Sequence, residues 1–151
     1  MVNDGIKAKG VLQLTLIDEN GNIKKQDEHN LVVNTGLAYI ASRIKDATAG
    51  TMTHMAVGTG STPASAADTA LGGALGDRVG LDSTTIVTTT ATDDSVQYIA
   101  TFGAGVATGA ITEAGIFNAL TGGTMLCRTV FAVINKGALD TLVITWKVTV
   151  A

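Results

Sequence analysis

The strongest constraint on the fold lies between Thr141 and Val150. Leu142, Ile144, Trp146, Val148 and Val150 alternate with Thr141, Val143, Thr145, Lys147 and Thr149. Successive side chains leave a pleated backbone on opposite faces, so a period of two marks a strand with one buried face. A helix would scatter the same apolar residues around its circumference. Ile111–Asn118 and Gly123–Phe131 carry the same β-branched and aromatic content and are separated by Thr121-Gly122-Gly123, a turn sequence. Asn135-Lys136-Gly137 is expected to turn the fourth strand of this series into the fifth.

Upstream of these blocks the pattern repeats. Leu12, Leu14 and Leu16 alternate with Gln13 and Thr15, and Asp18-Glu19-Asn20-Gly21-Asn22 follows. Asn-Gly is a strong hairpin signal, because both central positions of the favoured turn need positive φ. The return strand runs from about Ile23 into Leu31-Val32-Val33, so an N-terminal hairpin is expected. From Arg78 onward, five antiparallel strands are expected near 78–91, 95–104, 109–118, 123–134 and 140–150, with Asp93-Asp94-Ser95 a tight turn. Thr53–Gly58 reads as a further short strand.

One helix interrupts the strands, at about 36–45. Leu37, Ile40, Ala41 and Ile44 fall at i, i+3, i+4 and i+7 and predict a single apolar stripe. Asn34 or Thr35 is placed to cap it, and Arg43 and Lys45 suit its C-terminal dipole. Ala66–Leu75 reads as a brief helical turn weakened by Gly72-Gly73. The fold expected is mainly β: an antiparallel β-sandwich or β-barrel-like core with one α-helix and an N-terminal hairpin. Residues 1–9 form an N-terminal arm and 10–151 a single β-rich domain.

Composition narrows the function classes. Charged residues are 15% of the chain, below the ~25% usual for soluble domains. Either the chain packs into an oligomer or larger assembly, or it is a compact β-domain with a Thr/Gly surface. The net charge is −3, and Lys24-Lys25 is the only adjacent basic pair; nucleic acid is therefore not expected as a partner. A single cysteine, Cys127, excludes an internal disulfide. The N-terminal residues lack a basic-then-apolar signal pattern and no apolar run approaches the ~18 residues of a membrane span. The expectation is a soluble chain made without export, and no membrane partner.

No reactive constellation emerges. Gly58-x-Gly60 lacks the third glycine of a dinucleotide fingerprint and the Lys-Ser/Thr of a P-loop. Asp18-x-Asn20-x-Asn22 has Ile23 where a calcium loop needs glycine and His29 where it needs glutamate. His29, His54 and Cys127 do not reach the ligand count of a zinc site. No catalytic residue, cofactor or metal is expected. Glu113, in a strand-like run, is either exposed or paired; Arg78 and Arg128 are its candidate partners, because guanidinium meets a carboxylate with two hydrogen bonds. Trp146 is a candidate core anchor.

The blocks Thr53-His54-Met55-Ala56-Val57-Gly58-Thr59-Gly60, Leu75–Arg78, Ile111–Phe117 and Met125–Phe131 with Asn135-Lys136, in that order, resemble small structural proteins of tailed bacteriophages. In collar-type fibre proteins a His-x-Ala-x-Gly-x-Gly strand-loop precedes a Glu-x-Gly-x-Phe strand and a closing strand. The resemblance covers roughly residues 30–151, and the Asn30–Gly36 lead-in agrees with it. It implies a β-rich, non-enzymatic virion component made in the bacterial cytoplasm, often a homotrimer. At 151 residues the chain lacks the long extension of a true tail fibre, which favours a capsid decoration (cement) protein bound to the major capsid protein. The alternative is a neck, collar or tail-fibre anchoring protein bound to neck or tail proteins. The residues expected to contact the capsid or another partner are those of the arm, Met1, Val2, Asn3, Asp4, Gly5, Ile6 and Lys7. Glu113, Arg78, Arg128 and Trp146 are expected to be structural.

Overall fold

The computed structural model describes residues 5–150. Among them the elements are β1 Ala8–Ile17, β2 Ile23–Val32, α1 Asn34–Lys45, β3 His54–Gly58, β4 Val79–Gly80, β5 Ser83–Val87, β6 Ser95–Phe102, β7 Gly109–Phe117, β8 Met125–Lys136 and β9 Thr141–Val150. They form one sheet in the order β4-β3-β7-β8-β2-β1-β9-β6-β5, antiparallel throughout. The sheet curls into a half-barrel, in agreement with the expected mainly β, barrel-like core.

The hinge of the curl is β2. It pairs with β1 along its length from Asn30 to Ile23, but with β8 only through Leu31↔Arg128 and Val32↔Cys127. One strand therefore belongs to both walls. Leu12 and Leu14 of β1, Phe102 of β6 and Ile144 and Trp146 of β9 meet Met55 and Val57 of β3 and Ile111 of β7 in a single apolar core. Trp146 is fully buried, and its Nε1–H donates to Asn30 Oδ1 at 3.1 Å, so the indole loses no hydrogen bond on burial.

The opening hairpin is present. The connection is a five-residue loop, 18–22, and not the two-residue turn: the Asp18 carboxylate accepts backbone N–H bonds from Asn20 and Asn22, and of these residues Gly21 alone takes a positive φ, 82°. Ala8 and Lys9 already pair with Val150 and Thr149. The arm thus ends at Lys7 rather than residue 9.

Three expectations are corrected. The stretch 78–91 is not one strand. It divides into β4 and β5 on opposite edges of the sheet, because the chain crosses between them at Leu81-Asp82. Leu81 N–H donates to Thr53 O (2.9 Å) on one wall and Asp82 N–H to Ile99 O (2.7 Å) on the other, stitching the half-barrel at that end. Ala66–Leu75 is loop, not helix. The fourth strand runs through Asn135 and Lys136, and the turn lies at Gly137–Asp140, where the Asp140 carboxylate accepts the Gly137 N–H.

The helix is present but begins earlier and is rotated. Val33 occupies the N-cap and no side chain caps it. Asn34 N–H is taken by Ala66 O (2.8 Å), and Thr35 Oγ1 donates to Met125 O (2.9 Å). Gly36 is buried against β8, where a Cβ would collide with the Leu126 carbonyl. That contact turns Tyr39 and Ile40 toward the core and leaves Leu37 and Ile44 exposed. The predicted stripe is thus offset from the face that packs.

Candidate functional site

Glu113 lies on β7, fully buried, and Arg128 on the neighbouring β8 is 2% exposed. Gly115 pairs with Arg128 and Glu113 with Val130, which sets the two side chains diagonally on one face. Arg128 Nε and Nη2 reach Glu113 Oε2 at 2.9 and 2.8 Å. The same carboxylate accepts three backbone N–H groups from the loop between β3 and β4: Gly60 (2.9 Å) and Gly73 (2.7 Å) on Oε1, and Gly72 (2.9 Å) on Oε2. Arg128 continues outward to Asp68 Oδ2 (2.8 Å) and Thr62 O (3.1 Å). Thr112 Oγ1 donates to Gly60 O at 2.8 Å.

The loop is folded around this pair because its glycines allow it. A Cβ at Gly58 or Gly60 would be driven into the Glu113 carboxylate. Gly72 and Gly73 spend their N–H groups on Glu113, which is why the segment cannot close a helical turn. Burial alone pushes the Glu113 carboxyl pKa up; the bonds from Gly72, Gly73, Arg128 and Gly60 outweigh it and hold the group below the ordinary glutamate range. Asp68 is also lowered, first by the Ser65 N–H and then by Arg128.

A carboxylate that accepts from three amides and a guanidinium has no lone pair left for a substrate proton. The arrangement is a strap. It pins residues 59–74 across β7 and β8, and it supplies the satisfied partners that a buried ion pair needs.

Of the two arginines proposed as partners of Glu113, only Arg128 meets it. Arg78 donates through Nη1 to Ala119 O and Gly122 O, both at 2.8 Å, and lies 3.5 Å over the Phe117 ring. It clamps the β7–β8 turn, where Gly122 and Gly123 take φ of 62° and 69°. Its guanidinium is lowered by desolvation. Sequence reasoning missed Asp68 and the amides of Gly60, Gly72 and Gly73. Their signal was the pair of glycine clusters, Gly58-x-Gly60 and Gly72-Gly73, which mark places where backbone must approach something closely.

Cys127 is buried on β8 and its thiol is pushed well up by burial. His54 Nδ1 is 2.7 Å from its neighbour Thr53 Oγ1. Among the described residues no group of three or more His, Cys, Asp and Glu could hold a metal ion, and no helix is long and apolar enough to cross a membrane. Gly5, Ile6 and Lys7 of the arm are exposed and precede β1. Met1, Val2, Asn3 and Asp4 lie outside the described residues.

Between α1 and the β5–β6–β9 wall the half-barrel opens into an apolar recess. It has a volume of about 450 Å³ and is lined by Tyr39, Ile40, Ile44, Ile86, Tyr98 and Val150 among others. The Tyr98 phenol is pushed up, chiefly by burial. Compared with known protein families, curated proteins and solved structures, the chain matches none.

Proposed function

We propose that this chain is a non-enzymatic structural protein of a tailed-bacteriophage virion, a decoration (cement) protein that binds the outer capsid shell. The observation that carries the reading is the convergence of the motif residues. His54-x-Ala56-x-Gly58-x-Gly60 and Glu113-x-Gly115-x-Phe117 lie on adjacent strands, with His54 opposite Phe117, Ala56 opposite Gly115 and Gly58 opposite Glu113. The two motifs are therefore one structural unit, the strap that Glu113 closes. A pattern explained by one three-dimensional device is harder to meet by accident than two short sequence matches. The same device uses its charges to hold backbone, which suits a framework protein.

In this reading the arm before β1 makes the capsid contact, and repetition over many symmetric sites supplies avidity. The test is the amount of this chain in purified particles relative to the major capsid protein, measured by quantitative mass spectrometry. A stoichiometry comparable with the capsid protein is expected. A value lower by an order of magnitude or more assigns the chain to the neck or tail instead, and its absence from particles overturns the virion reading. Deleting residues 1–7 is expected to lower capsid occupancy while the circular dichroism spectrum stays unchanged.

A further inference from the structure

The two edges of the sheet are finished differently. β4 is two residues long and turns at once into the Leu81-Asp82 crossing. β5 is five residues long, and among the described residues Ser83–Val87 make no hydrogen bond except to β6. Edge strands are normally blunted by charge, proline, a bulge or a covering element, because their free N–H and C=O groups template pairing with another chain. None of these is present on β5. From Ser83 to Thr92 the sequence is Ser-Thr-Thr-Ile-Val-Thr-Thr-Thr-Ala-Thr, without a charge or a proline. Thr84, Thr85 and Ile86 are exposed, Ile86 by 60%. The apolar mouth of the half-barrel adjoins this edge, with Ile44 82% exposed on its far rim.

We propose that β5 pairs antiparallel with β5 of a second copy of this chain, about a two-fold axis at Thr85. The strand is complementary to itself in that register. Thr85 meets Thr85 of the partner subunit, Thr84 meets Ile86 of the partner subunit, and Ser83 meets Val87 of the partner subunit. Threonine–threonine and β-branched cross-strand pairs are favourable, and like charges opposite one another are not. The flanking Asp82 falls opposite Thr88 of the partner subunit, so the one nearby acidic residue does not face its own copy. Centring on Thr85 pairs all five residues of the strand, and any shift leaves some unpaired. A contact of this kind is isologous and closes on itself as a dimer. The rims carrying Ile86 come together across the axis and cover apolar surface that each copy leaves open. The pairing does not depend on the virion reading.

The test uses the full chain in solution. Cα atoms of directly opposed antiparallel residues are ~4.5–5.5 Å apart, inside the span a disulfide bridges. Thr85→Cys is therefore expected to form a disulfide-linked dimer rapidly under mild oxidation. Cys127 is buried and does not compete. Thr121→Cys, exposed on the β7–β8 turn, is the control and is expected to link far more slowly. Sedimentation equilibrium of the wild type is expected to give the mass of two copies, and Ile86→Lys that of one. The proposal is overturned by a wild-type mass of one copy at every concentration, or of three copies, the assembly implied by the family resemblance. Equal linking rates for the two cysteine variants, or an Ile86→Lys protein that stays dimeric, overturn it as well. Should Ile86→Lys fail to fold, the cysteine pair decides alone.

Discussion

On the β7–β8 side of the sheet a carboxylate and a guanidinium lie beneath a loop, cut off from water. On the β5 side ten uncharged residues run along the solvent. The usual placement of charge is reversed at both positions, and the reasons differ. Glu113 can be buried because five donors meet it, so the desolvation cost is offset and the group also fixes the course of sixteen loop residues, 59–74. The β5 edge can be left uncharged only if something covers it. The first region holds the chain's own backbone; the second offers backbone to another chain. The difference teaches where stability and where association reside, and it can be broken from either side.

The largest effect is expected at the strap. Arg128→Ala leaves Glu113 buried without its counter-charge and releases Asp68, and should lower unfolding free energy by about 3–5 kcal/mol, read from urea melts. A loss within about 0.5 kcal/mol would mean that the three glycine amides alone hold the carboxylate, and the ion pair would no longer distinguish the two regions. A smaller effect follows from pH. Glu113 titrates below its ordinary value when folded, so its contribution is complete above the unfolded value of about 4.3 and is lost as pH falls through the folded value. Glu113→Gln turns an amide donor toward glycine N–H groups, and at pH 7 it should be less stable than the wild type by roughly 1–3 kcal/mol. That gap should narrow as pH drops below 4; a constant gap would remove the charge from the explanation. The smallest effect is expected at the edge. Ile86→Lys, measured at a concentration where the wild type is monomeric, should change folding stability by no more than about 0.5 kcal/mol. A larger loss would make Ile86 part of the folding core and not of an interface.

Much of the framework was legible before the structure. The β1–β2 turn follows from Asn20-Gly21, and the alternation of Thr141–Val150 matches the buried and exposed faces of β9 residue for residue as far as Val148. Trp146 sits in the core as its place in that pattern implied. What was not legible depends on contacts distant in sequence. Thr35 could not be known to spend its hydroxyl on Met125, ninety residues away, so Asn34 or Thr35 was expected to cap the helix, whereas the N-cap is Val33. The helical stripe was misplaced because Gly36, with no side chain to signal it, makes the closest approach to β8. The break between β4 and β5 follows from the curl of the sheet, which local propensity does not encode. Glu113 was ambiguous between Arg78 and Arg128 because the choice rests on which segment lies beside β7: Arg128 is on β8, diagonal to Glu113, whereas Arg78 precedes β4 and reaches the β7–β8 turn. The glycine clusters carried the real signal of the strap, but as empty space around a carboxylate not yet located.

The position of β1, between β2 and β9, has a consequence for the order in which the molecule is made. Residues 8–17 pair with 23–30 early in synthesis, but their second ladder awaits residues 141–150. β3, β7, β8 and the Glu113 strap lie wholly within residues 54–136 and need no residue of β9 to close. The early hairpin meanwhile holds Leu12 and Leu14 without their final cover. Contacts so far apart in sequence form slowly, so the β1–β9 ladder is expected to close late, with the apolar face of β1 uncovered until it does.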